Sequence, residues 1–121
     1  MQEDCVFCKI VKGELPSKKE YDDKDVLVIH DIDPIAPVHL LAIPKKHLEN
    51  LSAATSNDLE LLGKLQLVAA EMARKMGIDK DFRVLTANGV KAGQVIFHLH
   101  YHIIGGWEKT PDWKTVRKLG T

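Results

Sequence analysis

The chain has 121 residues, enough for one hydrophobic core but not for two. Its 17 Lys and Arg balance 17 Asp and Glu, so no broad basic field draws it onto nucleic acid or anionic lipid, and any bound phosphate must be held by local geometry. Apolar runs such as Val26 to Ile29 are too short to cross a bilayer and the N-terminus has no signal-peptide pattern, which implies a cytoplasmic protein without a membrane partner.

Pro and Gly punctuate the chain without forming linker-like stretches and no repeat interrupts it, so one domain spans 1–121, with 107–121 as a C-terminal tail. Cys5 to Lys12 predicts a short helix that Gly13 and Pro16 end, before an extended Ser17 to Tyr21. Asp25 to Ile32, rich in Val, Leu and Ile, predicts a strand. Pro34 and Pro37 force a turn, and His39 to Ile43 predicts the hairpin partner. Ser56 is suited to cap a helix whose first turn carries Asp58 and Glu60, acids that the helix dipole favours there. In that helix, running to about Met76, the residues Leu59, Leu62, Leu65, Val68, Ala69, Met72 and Met76 recur at three- and four-residue steps. They mark one buried stripe, and Gly77 suits a C-terminal cap. Phe82 to Thr86 and Val95 to Ile104 predict two more strands around a loop of Asn88, Gly89, Lys91, Ala92 and Gly93. The elements together imply an α+β domain, a largely antiparallel sheet covered by one long helix.

In His98, Leu99, His100, Tyr101, His102, Ile103 the polar and apolar residues alternate. On a strand this puts three imidazoles on one face, about 7 Å apart, and Leu99, Tyr101 and Ile103 on the other. Two chemistries could use such a face. The imidazoles could chelate a catalytic metal, or one could be a nucleophile while the others hold its tautomer and protonate what leaves. A flat strand spreads three alternate side chains too far for all to reach one ion at about 2 Å, which favours a nucleophile, with His100 in the middle. Gly93 and Gln94 just upstream suit phosphoryl chemistry: glycine lets backbone N–H groups approach phosphate, and an amide can donate to a bridging atom.

HLHYHII resembles the signature of the histidine triad (HIT) superfamily, three histidines separated by apolar residues. The segments VFCKIVKGELPSK, VLVIHDIDPIAPVHLLAIPKKH, FRVLTANG and AGQVIFHLHYHIIGGW extend the resemblance over nearly the whole chain, and HDI, APVH, IPKKH and Gly-Gly-Trp bring it nearest the Hint-like branch. The resemblance implies a single HIT domain: an antiparallel five-stranded sheet with one long helix packed on it and a short N-terminal helix. It implies a purine nucleotide hydrolase or nucleotidyl transferase that cleaves at the α-phosphate of phosphoramidates or aminoacyl adenylates through a nucleotidyl-histidine intermediate. His100 would attack, His102 would contact phosphate oxygens, and His39 would hydrogen-bond the other nitrogen of His100 or a neighbouring carbonyl. Asp31 would accept from the ribose hydroxyls, which a carboxylate can do side by side. Phe7, Ile10, Ile29 and Ile32 would line a purine slot, each with core packing as its alternative. Asn88, Gly93, Gln94 and Val95 would flank the phosphate and leaving group. At Val95 many Hint-like proteins carry Ser or Thr, so a hydrogen-bond donor is missing and slower turnover or an altered leaving-group preference follows. The resemblance further implies a homodimer in which Trp113 of the tail reaches the partner's site. Competing functions are Fhit-like dinucleoside polyphosphate hydrolysis, a nucleotide-binding regulatory module with little catalysis, and a three-histidine metallohydrolase.

Cys5 and Cys8 close too small a loop to staple a secreted scaffold, leaving metal or redox chemistry. A thioredoxin-like Cys-x-x-Cys opens a helix after a strand, and no such strand precedes residue 5. Bacterial and archaeal HIT proteins that this chain resembles complete a Cys2His2 site with the histidine of Pro-Lys-Lys-His and the first triad histidine. The resemblance thus implies a structural Zn2+ on Cys5, Cys8, His47 and His98, against the alternative of two buried free thiols.

Overall fold

The computed structural model describes residues 4–113. Its first helix, α1 (Val6–Val11), is capped by Cys5, whose Sγ accepts the N–H of Cys8 at 3.2 Å. Five strands follow: β1 (Lys19–Asp22), β2 (Val26–His30), β3 (Val38–Pro44), β4 (Phe82–Leu85) and β5 (Tyr101–Gly105). They form one antiparallel sheet in the order β1-β2-β3-β5-β4, so the α+β architecture expected from the sequence is the one found.

The long helix α2 (Leu59–Lys75) is entered through a single 3-10 turn, Ser56–Asp58. The cap is Thr55 rather than Ser56: its hydroxyl accepts from Asn57 N–H at 3.2 Å, while Asp58 accepts from Thr55 N–H at 2.9 Å. A reciprocal pair satisfies two end groups where a lone Ser56 would satisfy one. At the other end Gly77 has φ 73°, a left-handed conformation that suits glycine, and Ile78 N–H closes on the Ala73 carbonyl at 2.9 Å. Leu65, Val68, Ala69, Met72 and Ala73 are buried, but Leu59 is 73% exposed. At 100° per residue Leu59 stands about 120° around the helix from Leu65, off the stripe. Lys64 ties the helix to the β1–β2 turn through Asp23 at 2.7 Å and Asp25 at 3.0 Å.

Both faces of the sheet are covered. Val26, Val28, Leu40, Ala42, Leu99, Tyr101 and Ile103 pack under α2, while Leu27, Ile29, Leu41 and Ile43 pack against Phe7, Cys8 and Ile10 of α1. A strand buried on both sides needs a continuous apolar run, as Val26 to Ile29 has, rather than alternation.

The expected strand from Val95 to Ile104 is shorter at its start: β5 begins at Tyr101, and residues 95–100 lie outside the ladder. The register explains why. Ala42 pairs with Tyr101, so a longer β5 would run alongside Ile43 and Pro44, and Pro44 has no N–H to donate. The Pro44 carbonyl is taken by the His98 ring at 2.7 Å, and Leu99 N–H turns instead to the Leu48 carbonyl at 2.7 Å.

Candidate active site and metal cluster

The triad segment still divides as its alternation predicts, with Leu99, Tyr101 and Ile103 under α2 and the histidines on the α1 side. The three imidazoles serve two different groupings. His98 turns its Nδ1 toward α1, where it lies 3.3 Å from Cys5 Sγ, 3.4 Å from Cys8 Sγ and 3.0 Å from His47 Nδ1. Cys8 Sγ is 3.2 Å from His47 Nδ1. These separations are close to the edges of a tetrahedron with bonds of about 2.0–2.3 Å. His98 Nε2 faces the Pro44 carbonyl, which can only accept, so the ring proton sits there and Nδ1 presents a lone pair to the cluster. Burial holds His98 down at about 4 and also lowers His47, keeping both rings neutral as ligands must be; burial raises the Cys5 thiol, which a bound cation would oppose. Cys5, Cys8, His47 and His98 are thus positioned to hold a metal ion.

His100 and His102 lie with ring centroids 5.2 Å apart. His100 Nδ1 is 2.7 Å from the carbonyl of His98, so Nδ1 carries the proton and the lone pair is on Nε2. The carbonyl of His98, and not His39, therefore holds the tautomer of His100. His39 serves His102 instead. The N–H of Ile35 donates to His39 Nδ1 at 3.2 Å, which leaves the His39 proton on Nε2, directed at His102 Nδ1 at 2.9 Å. By the same reasoning His102 carries its proton on Nε2. Asp31 Oδ2 lies 3.4 Å from His39 Nε2, and Asp31 Oδ1 accepts from Asp33 N–H at 2.8 Å. Burial lowers His39 despite the nearby Asp31 and Asp33 charges, so it acts as a neutral relay. Asp31, His39 and His102 also group closely enough to hold an ion, but His98, His100 and His102 do not form one such group among the described residues. The three-histidine metal reading therefore has no geometric basis.

Phe7, Ile10 and Ile29 come together as buried packing on the α1 side, and Phe7 meets the rings of His100 and His98 edge-on at 5.0 Å and 6.0 Å. Ile32 does not join them and is 98% exposed. Gln94 is buried with its amide fully engaged: Oε1 accepts from Asn50 at 3.0 Å and Gly89 N–H at 2.9 Å, and Nε2 donates to the carbonyls of Glu49 at 2.7 Å and Ile96 at 3.0 Å. It clamps two loops together. Asn88 likewise accepts from Leu51 N–H at 2.7 Å. Gly93 ends the 3-10 turn Val90–Ala92 with φ 97°, and Val95 beside it is exposed. His30, the remaining histidine, pairs with Glu20 at 2.7 Å away from these groups. A cavity of about 630 Å³ lies between Lys80–Arg83 and Trp107–Trp113, where Trp113 meets Trp107 edge-on at 5.0 Å and lies under the Arg83 guanidinium. The rest of the tail, 114–121, lies outside the described residues.

The partners invisible to sequence reasoning are main-chain groups: the carbonyls of Pro44, Leu48 and His98 and the N–H of Ile35. Such groups are present at every residue and carry no signature.

A family model described as "Scavenger mRNA decapping enzyme C-term binding" matches residues 4–117. A HIT-like protein of Synechocystis sp. is 50% identical over 106 residues, covering 88% of this chain and 93% of the relative. Among solved structures, a HIT family hydrolase from Clostridium thermocellum superposes with TM-score 0.87 at 45% identity, covering 93% of this chain and 98% of the other. One from Legionella pneumophila superposes with TM-score 0.85 at 37% identity, covering 88% and 96%.

Proposed function

Since the chain belongs to the histidine triad (HIT) family, we propose that it is a purine nucleotide hydrolase or nucleotidyl transferase working through a covalent intermediate on His100. The observation that carries this reading is the 2.7 Å contact from His100 Nδ1 to the His98 carbonyl, which leaves Nε2 as a nucleophile. His100 Nε2 attacks the α-phosphorus of a nucleoside phosphoramidate or aminoacyl adenylate: the nitrogen–phosphorus bond forms as the bond to the leaving group breaks, the acyl carboxylate departing as its anion and a phosphoramidate amine taking up a proton from solvent as it leaves. Positive charge that develops on the ring is stabilised by the His98 carbonyl dipole. His102 Nε2–H donates to the phosphate oxygens, oriented by His39 and, behind it, Asp31. Water then attacks the phosphorus and frees His100. The resemblance assigns the ribose hydroxyls to Asp31 and the purine to Phe7, Ile10, Ile29 and Ile32; of these only Ile32 is exposed, and Phe7 lies buried against the rings of His98 and His100. Gly93 and Asn88 shape the phosphate loop, and Gln94 acts there by fixing that loop rather than by touching the leaving group.

The donor set of two thiolates and two imidazoles suits Zn2+, whose part would be to tie α1 to the loop before β5. The family also supports a homodimer. No helix among the described residues is long and apolar enough to cross a membrane.

Quenching a single turnover with nucleotide-labelled substrate is the decisive experiment: label is expected on His100, and turnover without any trapped nucleotide would refute the reading. The same assay compares adenosine phosphoramidate, lysyl-adenylate and dinucleoside tetraphosphates, whose relative rates separate the Hint-like from the Fhit-like alternative. At the exposed Val95, a Val95→Ser change restores a missing donor. It is expected to raise kcat for phosphoramidates by about 3- to 10-fold, the effect of roughly one hydrogen bond in the transition state. Identical kinetics in the two proteins would mean that position 95 does not touch the leaving group.

A further inference from the structure

His98 belongs to both groupings at once. Its ring reaches the cysteine cluster through Nδ1, and its carbonyl holds the proton of His100. The stretch around it lies outside the β-ladder, so His98 is not held by strand pairing but by its own ring and by the neighbouring Leu99 N–H to Leu48 carbonyl bond. A second path runs through α1. Phe7 stands between Cys5 and Cys8, is 2% exposed, and meets the rings of both His98 and His100 edge-on. Anything that draws Cys5, Cys8, His47 and His98 together therefore fixes two of the groups that touch His100, the His98 carbonyl and the Phe7 ring.

We propose that the Cys5, Cys8, His47 and His98 cluster is a positioning device for the nucleophile: a metal held there locks the His98 main chain and the Phe7 ring, and these hold His100 in its Nδ1–H form and attacking orientation. His98 and Phe7 are positioning residues in this scheme, and the proposal rests on His100 being the nucleophile. A cluster that served stability alone would leave the His100 ring unchanged when emptied, provided the fold survived. A positioning cluster would not.

Imidazole 1H–15N spectra of the full-length protein, with one equivalent of Zn2+ and after chelation, read the tautomer of His100 without any turnover. The loaded protein is expected to show His100 protonated on Nδ1 alone, and the stripped protein a mixture of both tautomers with single-turnover transfer slowed at least about tenfold. A folded, stripped protein that keeps the pure Nδ1–H form overturns the proposal, whatever its rate. If stripping unfolds the chain, the zinc-loaded Phe7→Leu variant decides. Its expected result is kcat lowered about tenfold with KM within about twofold and zinc still bound at one per chain. An unchanged kcat, or a loss confined to KM as a purine contact would give, overturns the proposal. Failure to trap nucleotide on His100 would remove the functional reading while leaving the tautomer measurement standing, so the two can fail separately.

Discussion

A His100→Gln protein is expected to lose turnover by about 10⁴-fold while binding a nucleoside monophosphate within about threefold of wild type. Glutamine fills a similar volume beneath Phe7 and can still donate an N–H to the His98 carbonyl, so the surrounding packing survives. It has no lone-pair nitrogen to form a bond to phosphorus, and this alone is removed. The large effect follows from the chemistry: without the covalent step, water must attack directly with only the phosphate contacts to help it. Steady-state kinetics and calorimetric titration measure the two halves. Residual activity within about tenfold of wild type would transfer the reaction to another group; loss of binding along with turnover would point to a collapsed site instead.

Removing the metal, or one ligand through Cys8→Ala, is expected to lower stability by on the order of 3–5 kcal/mol, or about 10–20 °C in Tm for a domain of this size. Cys8, on α1, is fully buried with its Sγ against His47 and His98, so the cluster cross-links three segments distant in sequence, adding to the apolar packing that already holds α1 on the sheet. Thermal unfolding with and without Zn2+, beside metal analysis, is the measurement. Equal melting of the wild type and Cys8→Ala with no response to Zn2+ would leave the cluster as two plain thiols. Acid should act in the same direction. Burial holds His98 down at about 4 and also lowers His47, against about 6.5 in an unfolded chain. Between those values the unfolded chain binds protons that the folded one excludes, so stability falls as pH drops from about 6.5 toward 4. Metal release belongs to that window too, since protons compete for the ligand nitrogens. A flat melting temperature from pH 7 to pH 4 would contradict this.

Much of the fold was readable before any coordinates because it depends on local patterns. The α2 stripe at three- and four-residue steps, Gly77 behind it, and the Val, Leu and Ile run of β2 are spacings that either bury an apolar face or fail to. The errors share a cause. Leu59 matched a step count but not the angle of the stripe, and Ser56 lost the cap to Thr55 because a reciprocal partner, Asp58, sat three residues on. The alternation from His98 to Ile103 chose the right faces even though half of it is not strand, since extended backbone alternates with or without a ladder.

The sequence by itself determined which side chains could do chemistry, two thiols, five histidines and Asp31, and that the triad histidines share one face while Leu99, Tyr101 and Ile103 take the other. Only the tertiary structure decided how they are wired. The His100 tautomer depends on a main-chain carbonyl, His39 serves His102 rather than His100, and Gln94 is occupied by two loops. Main-chain donors and acceptors are the same at every residue, and which of them meets a given ring is set by strand register and by a proline that ends a ladder across the sheet.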